Sequence, residues 1–142
     1  MRGCRKVLIA VNGSIEVLRQ GLRLASDERS WITVIKVIPP YEGDLDLTGV
    51  KNIEDVLNSG ISSSLSEMEG IAGEEGVFIK VRVEEGDIPE RIKSAALEER
   101  CDIIIMGESS RKGIKKLFGG GVLNNVLRDA PCPVLVVKRG EI

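Results

Sequence analysis

Five short runs of apolar, largely β-branched residues alternate along this chain with stretches of helical periodicity, and that alternation restricts the fold more than any other feature. The runs are Val7 to Val11, Trp31 to Ile38, Val77 to Val83, Ile103 to Met106 and Val134 to Val137. The run Ile103-Ile104-Ile105-Met106 is apolar at every position, as a strand buried on both faces requires. Val77 to Val83 instead alternates apolar and basic residues late in the run, as an edge strand with one wetter face does. Strands that each lead into a helix predict right-handed βαβ units and a parallel sheet covered on both sides.

The intervening patterns are amphipathic. In the first, Leu18, Leu22 and Ala25 share a face with Val17, Gly21 and Leu24, while Arg19, Arg23 and Glu28 can meet water. The second is a long stripe, Val50, Ile53, Leu57, Ile61, Leu65, Met68 and Ala72, closed by Gly73 to Gly76. The third starts at Asp87 with Glu90 three residues on and Pro89 in the first turn, a capping-box arrangement, and runs to about Arg100. The fourth follows Gly119-Gly120-Gly121 with Val122, Val126 and Leu127 and reaches about Arg128. Between the second strand and the long stripe, Glu42, Asp44 and Asp46 alternate, but the twelve-residue spacing of a calcium loop is missing and the segment reads as solvated loop.

With 142 residues, 42% of them hydrophobic, the chain suits one domain, residues 1–142, with its own core. Its 20 basic and 22 acidic residues are interspersed, so nothing points to nucleic acid or an acidic membrane as partner. The absence of histidine removes Ser-His-Asp and Cys-His catalysis and histidine-rich metal sites together. Cys4, Cys101 and Cys132 lack Cys-x-x-Cys spacing and are odd in number, which argues against a disulfide framework or a zinc site and for a reducing, cytoplasmic setting. Cys101 and Cys132, next to a buried strand and between prolines, read as packing residues rather than redox centres. No signal peptide or membrane-spanning segment is expected.

Chemistry concentrates between Asp102 and Pro133. Gly107 ends the fourth strand, a polar and basic loop follows with Ser110, Arg111, Lys112, Lys115 and Lys116, and three glycines open the next helix. Strand, glycine, loop, glycine and helix form an order suited to cradling an anion: glycine allows close backbone approach, and the free N–H groups of a helix start favour phosphate oxygens. The loop lacks the lysine-hydroxyl ending of a P-loop, and Asn12-Gly13-Ser14 lacks a dinucleotide fingerprint.

This stretch resembles the phosphate loop of the universal stress protein family, in which glycine, two residues, glycine, nine residues, then glycine and a small hydroxyl residue follow one another. Gly107 and Gly120 match the first and third glycines, and Pro131-Cys132-Pro133 before the last strand is similar to the family's proline-flanked ending. Ser110 stands where the second glycine is expected, and Gly121 where the hydroxyl residue is. The resemblance implies a three-layer, doubly wound α/β fold of the adenine nucleotide alpha hydrolase-like kind, with five parallel strands in the order 3-2-1-4-5. It also implies a site for ATP or another adenine nucleotide at Asn12, Val37, Met106, Gly107, Ser110, Gly120, Gly121 and Val122. Asn12 replaces the family's acidic residue, so a magnesium ion loses a charged anchor. The resemblance further implies a stress-response module without fast turnover, ATP hydrolysis being slow at most, and a homodimer formed through Val134 to Val137. Two readings stay open: a nucleotide-binding regulator, and a member that has lost binding and acts as a dimeric partner-interaction or scaffold protein.

Overall fold

The computed structural model describes residues 6–11, 15–26, 30–38, 64–108 and 121–138. They form one parallel sheet of β1 (Lys6–Ala10), β2 (Trp31–Ile38), β3 (Ile79–Glu85), β4 (Ile103–Gly107) and β5 (Val134–Val137), in the spatial order β3-β2-β1-β4-β5. This is the predicted order. Among the described residues four helices accompany the sheet: α1 (Ile15–Ala25), α2 (64–74), α3 (Ile88–Glu98) and α4 (Val122–Asp129). The part of the long stripe from Val50 to Ile61, and the acidic segment Tyr41 to Thr48, lie outside the described residues.

Side chains alternate across a strand, so a central strand in a three-layer fold has to be apolar at odd and even positions alike. In β1, Val7 and Ile9 face α1 and α2 with Val34, Ile105, Leu18, Leu22 and Met68, whereas Leu8 and Ala10 face α3 and α4 with Ile35, Met106, Ile92 and Val126. Leu8, Ile9, Leu18, Leu22, Ile92 and Ile104 are fully buried, each worth roughly 1.5–3 kcal/mol relative to exposure. Leu24, expected on the apolar face of α1, is half exposed instead, because two residues past Leu22 the helix has turned about 200°.

Element ends follow local chemistry. The Asp87 carboxylate accepts the Glu90 N–H at 3.2 Å and caps α3, as its sequence predicts. At the other end Arg100 takes a left-handed conformation, φ 55°, and the Arg100 and Cys101 N–H groups return to the Leu97 and Ala96 carbonyls. Strand β3 starts at Ile79 rather than Val77 and extends through Glu84 and Glu85, because pairing with β2 continues to Val37 and Ile38. Its wet face is tied to the end of α3 by Lys80 and Arg82, which reach Glu99 at 2.8 and 3.0 Å, while Arg82 also reaches Glu98 at 2.7 Å.

Candidate functional site

The strand order reverses at β1, which has β2 on one side and β4 on the other. Helix α1 follows β1 onto the face of Val7 and Ile9, and α4 follows β4 onto the face of Leu8 and Met106. The chain therefore leaves these neighbouring strands in opposite directions and opens a crevice at their carboxyl ends, where doubly wound sheets take ligands. Its described rim consists of Ala10, Val11, Val37, Gly107 and Glu108, with the start of α4 beyond. The Val11 N–H donates to the Ile35 carbonyl and the Glu108 N–H to the Val137 carbonyl, both at 2.9 Å, so these amides are committed to the sheet.

The predicted site residues separate into three groups. Val37 and Met106 are buried, 3% and 0% exposed, and their side chains belong to the core beside α3 and α4; only their main chain lines the rim. Gly107 and Gly121 lie at the end of β4 and at the cap of α4, with Val122 opening that helix and partly buried against the same core. Asn12, Ser110 and Gly120 lie outside the described residues, as do Arg111, Lys112, Lys115 and Lys116.

The two described glycines are glycine for different reasons. A Cβ on Gly107 would stand 2.6 Å from Val17 Cγ2, so close packing of α1 on β4 already requires its absence. The sequence offered Val17 only as one member of an amphipathic face, and its pairing with Gly107 was not visible there. Gly121 has φ −108°, no side-chain cap, and nothing nearer to a built Cβ than Asn125 Nδ2 at 3.6 Å. Among the described residues, neither sterics nor backbone conformation demands glycine at that helix start.

Cys101 and Cys132 pack as half-buried members of the core beside α3 and α4. Burial pushes the Cys101 thiol up to about 11, the nearby Cys132 thiol adding to the effect, and burial also raises Cys132. Thiols held protonated are poor nucleophiles. Among the described residues no cluster of acidic or cysteine side chains can hold a metal ion, and no helix is long and apolar enough to cross a membrane.

Sheet order, reversal point and the helices that flank the crevice define a doubly wound α/β protein with a crevice at the carboxyl edge of its sheet. The chain belongs to the universal stress protein family, whose model matches residues 3–138. Universal stress protein MJ0531 of Methanocaldococcus jannaschii is 30% identical over 95% of this chain and 82% of its own. The solved structure of MJ0577 from the same organism superposes with a TM-score of 0.73 at 26% identity, covering 97% of this chain and 98% of its own. A universal stress protein of Archaeoglobus fulgidus, solved in complex with dAMP, superposes with a TM-score of 0.68 at 21% identity, covering 94% and 98% of the two chains.

Proposed function

We propose that the crevice binds an adenine nucleotide and that the protein is a cytoplasmic regulatory module of a stress response rather than an enzyme with fast turnover. The observation that carries this reading is Gly121: among the described residues nothing crowds the start of α4, where a helix dipole favours phosphate and a missing Cβ allows close approach. The dAMP complex of the Archaeoglobus fulgidus relative supports the ligand class. The chain's lack of histidine supports a binding role over fast hydrolysis. Asn12 in place of an acid takes away a charged anchor for magnesium, so the protein contributes less to holding that ion.

Titration calorimetry with ATP, ADP, AMP and cyclic AMP, with and without magnesium, tests the reading. Saturable binding is expected, weakened at least tenfold by Gly121→Leu in a variant with an unchanged circular dichroism spectrum. No heat with any of the four nucleotides would sink it. A second reading, a dimeric interaction protein with an empty crevice, is favoured by β5: this strand closes the sheet, is entirely apolar, and leaves Val136 38% exposed. Under either reading the homodimer forms along β5.

A further inference from the structure

The opposite end of the sheet carries a second, unrelated feature. Lys6 of β1 is in register with Trp31 of β2, and Ile32 is in register with Ile79, which brings Phe78 next to Trp31 at the amino-terminal border. By parity, Lys6 and Trp31 belong to the same face as Leu8 and Ile35, the face covered by α3. That cover is too short: eleven helical residues span about 16 Å, against about 26 Å for the eight residues of β2. Beyond the end of α3 the described residues leave a groove of about 1010 Å³, lined by Lys6, Trp31, Phe78, Lys80, Glu99 and Cys101.

Both rings are bare. Phe78 is 99% exposed and Trp31 73%, although each is large and apolar and burial would stabilise it. The charges around them are unequal. Lys80 is paired with Glu99 at 2.8 Å, and Arg82 shares the same carboxylate. Lys6 uses its amide on Asp102 at 2.9 Å, but its ammonium has no acidic partner among the described residues. Two flat rings beside a cation that no described acidic residue pairs complement a flat apolar ligand with a single anionic end.

We propose that this groove is a binding site for a planar aromatic carboxylate, its ring set against Trp31 and Phe78 and its carboxylate paired with the Lys6 ammonium. Trp31 is the only tryptophan in the chain, so its fluorescence reports the site directly. 1-Naphthoate is expected to quench that emission saturably and in a salt-dependent manner. Lys6→Gln should weaken the binding about fivefold, the scale of an exposed ion pair, and remove the salt dependence. The uncharged 1-naphthalenemethanol should bind wild type no better than naphthoate binds Lys6→Gln. Phe78→Ser, at a fully exposed position that folding does not use, should raise Kd severalfold. Excess ATP should leave naphthoate affinity unchanged, which separates this groove from the crevice at the other edge. Quenching that never saturates, equal affinity in Lys6→Gln and Phe78→Ser, or displacement by ATP would each overturn the assignment.

Discussion

A methyl group on Gly107 would collide with Val17 at 2.6 Å, and the obstacle is a β-branched side chain on a packed helix rather than a flexible tip. Gly107→Ala is therefore expected to cost about 1–3 kcal/mol. Val17→Ala in the same chain should recover part of it, so the two changes together cost less than their sum. Urea midpoints of the three variants measure this, and an unchanged midpoint for Gly107→Ala would show the contact to be soft. Cys101 makes a second prediction. From pH 9.0, the ordinary thiol value, to about 11, the unfolded chain releases a proton that the folded one keeps. Stability conferred by the protonated thiol is full below that window and lost as pH rises through it. Urea midpoints between pH 8 and 11 should fall more steeply for the parent than for Cys101→Ala. At this scale the sequence was least readable. Gly107 stood out as a phosphate glycine, but its packing against a partner ninety residues away in the chain is an additional requirement that no local pattern records. Val37 and Met106, assigned to the site, can serve it only through their main chain, because their side chains are in the core, and the sequence did not distinguish the two.

Elements were more legible, because capping and periodicity are local. Asp87, Pro89 and Glu90 announced the start of α3 and sit there as predicted. Boundaries set by pairing were not. Glu84 and Glu85 read as the end of β3 but continue it, since the carboxylates stand on a wet edge while their backbone pairs with Val37 and Ile38. The two ends of α3 respond oppositely to substitution. Asp87→Ala removes the side-chain acceptor for the Glu90 N–H and is expected to cost about 1 kcal/mol. Arg100→Gly relieves a left-handed conformation that a side chain disfavours, and is expected to gain about 0.5–1 kcal/mol. Thermal unfolding monitored by circular dichroism should show the first variant melting below the parent and the second above it.

At the scale of the whole molecule, the strand order was legible because few topologies satisfy alternating strands and helices with right-handed crossovers. Assembly is less evident from sequence, since an edge is defined only once the sheet exists. The sheet has two borders of opposite character. On β3, Lys80 and Arg82 are engaged with Glu84, Glu98 and Glu99; on β5, Val134 to Val137 carries no charge. Light scattering of the parent should give a dimer and Val136→Lys a monomer; a parent that stays monomeric at high concentration would refute pairing at β5. The difference between the borders also limits size. A sheet that can add strands at both ends can grow without end, as fibres do, but a unit with one receptive border is used up by a single twofold encounter. Two copies joined at β5 would present only charged β3 borders outward, so the assembly terminates itself at two.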